Sequence, residues 1–221
     1  MIKLDILPYP LYKFQIDPVL ADEVLEHVKN LKFEKNLSNN NNLDMHINYY
    51  HEKLFTFFNE SVNSVKQLYY RDEIDFPIVD CWANRYGPLE KISNHTHANG
   101  MISGVYYANA EENFGPTVFN INDPWCSDFF SDKSEYKLIT IFKENYKQMR
   151  VRSEVIPEKG SLLLFPSHIF HFVKPNLNKK ISRYTVSFNT FPSGIISFNP
   201  TSMLELKTVS VQDKQNGSKK E

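Results

Sequence analysis

Seven histidines occur in the 221-residue chain, and four of them fall in two tight clusters. The first cluster is Asn94-His95-Thr96-His97, and the second is Ser167-His168-Ile169-Phe170-His171. In an extended segment, residues i and i+2 point to the same side, so His95 and His97 can offer two imidazoles to one metal ion. A third ligand from the second, distant cluster would close a facial arrangement with three coordination positions open. Open positions of that kind let a metal take a bidentate small molecule together with dioxygen. A His-x-His pair alone is a weak signal, because it more often marks a polar strand edge. His27, His46 and His51 lie in the N-terminal region and are read as structural.

Several other chemistries lack their motifs. The chain has no Gly-x-Gly-x-x-Gly, no Walker-type loop and no Gly-x-Ser-x-Gly elbow, and its 7 glycines argue against phosphate-cradling loops. Cys81 and Cys126 are the only cysteines, too few for a disulfide framework, and they do not form a Cys-x-x-Cys pair. Twenty-five basic residues against 26 acidic give a net charge of −1, which removes the simplest case for nucleic-acid binding. No apolar run approaches the length of a bilayer span, and the first residues lack the pattern of a signal peptide. The expectation is a soluble intracellular protein with no membrane partner. Its oligomeric state is left open.

The elements that must position the histidines can be read from pattern. Leu4–Ile16 contains Pro8 and Pro10 and reads as an extended edge strand or arm. Asp17-Pro18 opens a helix, with Asp17 as N-cap, and Val19, Leu20, Val24, Leu25, Val28 and Leu31 lie largely on one face. A polar loop, Asn36–Asp44, separates it from a second helix over roughly His51–Tyr69, striped by Leu54, Phe57, Phe58, Val62, Val65 and Leu68. After Asp72, short β-rich runs alternate with turns: Pro77–Tyr86, Met101–Asn109, Thr117–Ile121, Met149–Ile156, Ser161–Phe165, His171–Lys174 and Arg183–Phe191. Tyr136–Phe142 adds a further strand or short helix. Many short strands with turn signals indicate a sandwich or barrel. The organisation expected is one domain over 1–206, with an arm and helices in 1–72, a β-core in 73–206 and a frayed polar tail in 207–221.

The order of features from Val79 to Phe191 resembles the iron(II)- and 2-oxoglutarate-dependent oxygenases, and within them the branch related to prolyl 4-hydroxylases. The motifs that carry it are the strand Trp82-Ala-Asn-Arg-Tyr86, the pair His95 and His97, the strand Val105-Tyr-Tyr-Ala-Asn109 and the turn-strand Gly115-Pro-Thr-Val-Phe119. They are followed by Gly160-Ser-Leu-Leu-Leu-Phe-Pro166, the distal His171 and the strand opening Arg183-Tyr-Thr-Val-Ser187. Each piece is weak by itself, but their order and spacing are specific together. The resemblance implies a mainly β fold with N-terminal helices and a double-stranded β-helix core, the cupin-like jelly roll. It implies iron(II) held by His95, His97 and His171, with His168 left to packing or solvent. It also implies a hydroxylase that couples decarboxylation of 2-oxoglutarate to oxidation of a substrate by molecular oxygen. The substrate, a small molecule or a peptide side chain, is not specified by any motif. The loops Asn122–Ser134, with Trp125, Phe129 and Phe130, and Asn36–Asp44 are candidates for substrate contacts.

One position departs from the family pattern, which more often has a carboxylate where this chain has His97. Three imidazoles would leave the metal its full charge and increase its pull on an anionic cosubstrate. The alternatives are a carboxylate such as Asp123 or Glu111 in that place, or a water or anion beside His95 and His171 alone. The cosubstrate brings a second carboxylate that must be paired when buried. Arg183 is suited to it, because a guanidinium presents two parallel donors and a permanent charge. It lies twelve residues after His171, about one turn and one antiparallel strand away. Thr185 shares its face and can add a hydroxyl. Tyr107 matches the family's tyrosine at that carboxylate, with Tyr106 second; the two alternate faces, so at least one is ordinary packing. Asn84 and Tyr86 share a face of their strand and could reach the other end of the cosubstrate or the substrate. Two rival readings are a three-histidine cupin-type dioxygenase that does not use 2-oxoglutarate and a non-catalytic barrel that binds a partner.

Overall fold

The computed structural model describes residues 2–6, 9–36, 43–120, 152–199 and 202–217. The expectations for Asn122–Ser134 and Tyr136–Phe142, like Asp123 and Cys126, lie outside these residues. Eight strands form the largest sheet, in the order β1 (Ile2–Ile6), β2 (Tyr9–Gln15), β11 (Ser161–Pro166), β8 (Ile102–Tyr107), β13 (Arg183–Thr190), β6 (Ile78–Tyr86), β4 (Leu43–Ile47) and β3 (Glu34–Asn36). A four-stranded sheet has the order β10 (Arg152–Val155), β9 (Thr117–Asn120), β12 (Phe170–Val173) and β7 (Ile92–His95). A small third sheet joins β15 (Ser202–Leu206), β14 (Ser193–Asn199) and β5 (Ile74–Asp75). The pairings are antiparallel throughout.

The two larger sheets face each other, and contacts cross between them. Phe119 on β9 packs edge-on against Phe165 on β11, with ring centroids 4.9 Å apart. This is the jelly-roll core. The other face of the eight-stranded sheet is covered by helices α1 (Pro18–Lys29) and α2 (Glu52–Tyr69). Asp17 caps α1 by accepting from the amides of Val19 and Leu20, and Pro18 stands in the first turn, where no intrahelical donor is lost. His51 caps α2 by accepting from the Leu54 amide through Nδ1. Leu54, Phe55, Phe58, Val62 and Val65 are the apolar side chains that α2 buries, while Leu68, read as part of that stripe, is 52% exposed in the last turn.

The large sheet is therefore buried on both faces, and strand periodicity divides its side chains by chemistry. Tyr106, Leu162, Leu164, Val186 and Phe188 join the helix-side core. Their neighbours in sequence, including Ser103, Tyr107, Arg183, Thr185, Ser187 and Asn189, are buried on the side facing the four-stranded sheet. Two expectations change. The N-terminal arm is a hairpin, β1–β2, and β2 joins the sheet through Tyr12–Gln15, so Pro10 sits beyond the part paired with β11. The stretch after Lys207, read as frayed, holds a helix, α3 (Val211–Gly217), anchored by Val211, which is 4% exposed in the helix-side core. One apolar residue in a polar run gives little signal by itself. No helix among the described residues is long and apolar enough to cross a membrane.

Candidate active site

The histidines are brought together by strand register. His95 ends β7 and stands directly opposite His171 on β12, which also pairs with β9. His97 lies just past β7, where its backbone N–H donates to the Ser167 carbonyl at 2.9 Å and its own carbonyl accepts from Gly100. The ring centroids are 4.3 Å apart for His95–His171, 5.0 Å for His95–His97 and 5.2 Å for His97–His171. One nitrogen from each ring lies within 4.8 Å of the other two. Among the described residues, no carboxylate joins this group, and Glu111 is exposed elsewhere. His168 is exposed.

Burial sets the protonation of these rings. It pushes the His171 imidazole down to about 3 and the His97 imidazole down to about 4, and it also lowers His95. All three are then neutral near pH 7, so no ring has to lose a proton before it meets a metal. The Nδ1 atoms of His95 and His171 contact the carbonyls of Ser93 and Ile169, at 2.8 and 2.9 Å. That contact fixes the ring proton on Nδ1 and turns Nε2 into the ligand atom, as metal-binding histidines require.

Arg183 stands at the start of β13, opposite Tyr86 on β6. Its side chain is 1% exposed. Nη1 donates to the Gly115 carbonyl at 2.5 Å and Nη2 to Thr117 Oγ1 at 3.3 Å. The guanidinium lies between two aromatic rings, with Cζ 5.1 Å from the Tyr86 centroid and 5.3 Å from that of Tyr107. Tyr107 donates to Thr117 Oγ1 at 2.7 Å. Burial raises the Tyr107 hydroxyl and pushes that of Tyr86 up to about 12, so both remain donors. Thr185 faces Asn84 across the β13–β6 pair and Tyr107 across the β13–β8 pair. The Asn84 amide nitrogen contacts Thr185 Oγ1 and Ser187 Oγ, at 3.2 and 3.3 Å.

Two orphaned atoms mark this wall. Arg183 Nε and Asn84 Oδ1 are buried without a hydrogen-bond partner. No carboxylate among the described residues neutralises Arg183. A buried guanidinium without a counter-ion is costly, so this wall fits an anionic small molecule. The three neutral imidazoles likewise fit a borderline metal such as iron(II). A cavity of about 180 Å³ is lined by all three histidines and by Asn84, Tyr86 and Thr117, and Leu43, Met45, Trp82, Ile92 and Val173 supply its apolar part.

The sequence points to five site residues besides the histidines and Arg183. Asn84, Tyr86, Tyr107 and Thr185 cluster on the Arg183 wall. Tyr106 does not: it points to the helices, with its ring 5.9 Å from that of Phe58, because it alternates with Tyr107. Thr117 and the Gly115 carbonyl were not singled out from sequence, since a hydroxyl and a backbone oxygen carry no motif. Ser187 and Asn189 were also missed, although they continue the polar alternation of Arg183 and Thr185.

The chain is similar to known proteins in sequence and in fold. The family described as "Putative 2OG-Fe(II) oxygenase" matches residues 80–189. A search of curated proteins finds no match. Among solved structures, the chain is similar to a Pseudomonas putida prolyl-4-hydroxylase, with a TM-score of 0.58 and 13% identity, covering 84% of this chain and 95% of that one. It is similar to a Trichoplax adhaerens prolyl hydroxylase in complex with a hypoxia-inducible-factor peptide, with a TM-score of 0.53 and 17% identity over 82% and 83% of the two chains. It is also similar to HygX from Streptomyces hygroscopicus with nickel, 2-oxoglutarate and hygromycin B bound, with a TM-score of 0.57 and 8% identity over 95% and 96%.

Proposed function

The chain belongs to the iron(II)- and 2-oxoglutarate-dependent oxygenases, and from that premise we propose that it lies in their prolyl-hydroxylase-like branch, that His95, His97 and His171 hold its iron and that Arg183 receives the far carboxylate of its 2-oxoglutarate. The observation that carries the second assignment is the buried Arg183 guanidinium with no carboxylate partner among the described residues. A cupin-type dioxygenase without 2-oxoglutarate would have no use for that charge.

When bound, iron(II) supplies dioxygen activation coupled to decarboxylation of 2-oxoglutarate to succinate, and oxidises a substrate C–H bond. The chain's own groups do the rest. Arg183 pairs with the carboxylate, and its contacts to Gly115 and Thr117 keep it from swinging to follow a mobile anion. Tyr86 and Tyr107 flank the guanidinium and exclude water, which strengthens the ion pair. Thr117 Oγ1 accepts from Tyr107 and from Arg183 together, so both groups are held in one geometry. Thr185 donates its hydroxyl proton to the cosubstrate, and Asn84 orients that hydroxyl by donating to its oxygen. Hydroxylation is the expected outcome, on a carbon that reaches the apolar wall of Leu43, Met45 and Trp82.

The test is succinate release from 2-oxoglutarate by the iron-loaded protein under air. His171→Ala and Arg183→Ala should each abolish it. Full iron loading with undiminished succinate release by Arg183→Ala would sink the assignment of Arg183.

A further inference from the structure

The three imidazoles do not have equivalent surroundings. His95 and His171 each turn Nδ1 to a backbone carbonyl, which can only accept a hydrogen bond. His97 turns Nδ1 to the side-chain nitrogen of Asn189 instead, 3.4 Å away. An amide nitrogen can only donate. Nδ1 of His97 must then accept, and the neutral ring carries its proton on Nε2. Neither nitrogen of that ring is left with a free lone pair.

The orientation of the Asn189 amide is set by its other neighbours. Its oxygen accepts from Ser103 Oγ at 2.6 Å. Its nitrogen faces Asp80 Oδ2 at 3.3 Å, while its backbone N–H donates to Asp80 Oδ1 at 2.9 Å. Turning the amide over would put its oxygen against the Asp80 carboxylate. Asn189 is 5% exposed and Ser103 is 1% exposed, so water has little room to compensate. Ser103 Oγ also lies 2.8 Å from Ser167 Oγ, and the Ser167 carbonyl holds the backbone of His97. The ring and its partner are thus fixed from the same side.

We propose that Asn189, oriented by Asp80 and Ser103, is a positioning residue that keeps His97 in the tautomer least suited to metal binding and makes it the weakest of the three ligands. This rests on the reading of His95, His97 and His171 as the metal-holding set. For His97 to ligate, either its proton moves to Nδ1 and two donors face each other, or Nδ1 leaves Asn189. Both routes lose the Asn189 contact. The metal is then held firmly by His95 and His171, and the third position is the one a competing water or carboxylate can take.

The experiment combines imidazole NMR with metal titration of the full chain. Metal-free, nitrogen-15-labelled protein is studied at about pH 7.5, where these rings are neutral. Each ring is assigned by its His→Gln variant, and Co(II) affinity is read from visible absorption. The expected spectrum has His95 and His171 protonated on Nδ1 and His97 protonated on Nε2. Asp80→Asn gives Asn189 a donor in place of the carboxylate, so its amide can turn over and accept from His97. His97 then changes tautomer and Co(II) binds about tenfold tighter, a change in the range set by second-layer contacts. His97→Gln weakens Co(II) by less than about tenfold and His95→Gln or His171→Gln by about a hundredfold or more. A His97 proton on Nδ1 in the unmodified protein overturns the proposal. So does an Asp80→Asn variant that folds and binds Co(II) no tighter. If that variant does not fold, the tautomer in the unmodified protein decides alone. Failure of the unmodified protein to bind Co(II), or binding indifferent to His95→Gln, would instead overturn the metal site itself.

Discussion

Arg183 concentrates the chemistry of one wall in one side chain, and its loss has a definite expected size. Arg183→Ala should weaken 2-oxoglutarate binding by about thirtyfold to several thousandfold, because truncating one member of a buried charge pair costs about 2–5 kcal/mol. Arg183→Lys should recover little of this, since an ammonium cannot contact Gly115 and Thr117 while also presenting two parallel donors. Calorimetric titration of the metal-loaded protein checks both. The histidines add a pH dependence. His97 and His171 titrate far lower folded than the ~6.5 expected unfolded, so between those values the unfolded chain binds more protons. Stability of the metal-free protein is therefore complete above about pH 6.5 and falls as pH drops, by about 2 kcal/mol per ring at pH 5. Urea unfolding at pH 7 and pH 5 measures this, and His171→Phe should reduce the difference.

At the scale of elements, the site depends on strands that approach one another closely. An added Cβ at Gly115 would lie 2.3 Å from the Lys174 carbonyl oxygen and 2.5 Å from that of Pro175. Both are backbone atoms and cannot rotate away. Gly115→Ala should destabilise the fold by about 1–3 kcal/mol and also weaken 2-oxoglutarate binding, because the Gly115 carbonyl anchors Arg183. At Gly104 the obstacle is the Phe188 ring, 2.3 Å from an added Cβ; both residues border the cavity, but the ring packs into the helix-side core and neither holds Arg183. Gly104→Ala should cost stability in the same range and leave 2-oxoglutarate affinity nearly unchanged. Thermal melts paired with cosubstrate titrations separate the two cases.

At the scale of the whole molecule, two packing layers share one sheet. The helix-side layer is apolar, and the cavity-side layer mixes polar groups with an apolar cluster that includes Tyr107, Phe119, Leu163 and Phe165. Phe58 on α2 is fully buried and meets Phe188 at 4.6 Å and Tyr106 at 5.9 Å between ring centroids. Phe58→Ala should remove about 3–5 kcal/mol of stability. Phe188 and Tyr106 belong to strands that also carry Arg183, Ser187, Asn189 and Tyr107. The loss should thus appear in melting temperature before it appears in metal binding at low temperature, which Co(II) titration of the folded fraction would show.

The sequence alone determined the types and spacing of the ligands. Strand periodicity placed His95 and His97 on one side and Arg183 and Thr185 on one face, the Asp17 cap located the first helix, and an apolar stripe located the second. These are short-range facts, carried by residues a few positions apart. Alternation could not choose between Tyr106 and Tyr107, because it says that two residues face opposite ways and not which way is inward; the preference for Tyr107 came from the resemblance alone. Nor could the sequence reveal that Arg183 leans on a backbone carbonyl, or that Val211 docks a helix in a polar tail. Tertiary structure decided these, through contacts between residues distant in sequence. His97 shows the division most plainly. Its identity was visible from the beginning, but the atom facing its ring belongs to Asn189, 92 residues away, and is oriented by Asp80. A ligand's strength depends on where its proton sits, and that is settled by a neighbour that only folding supplies.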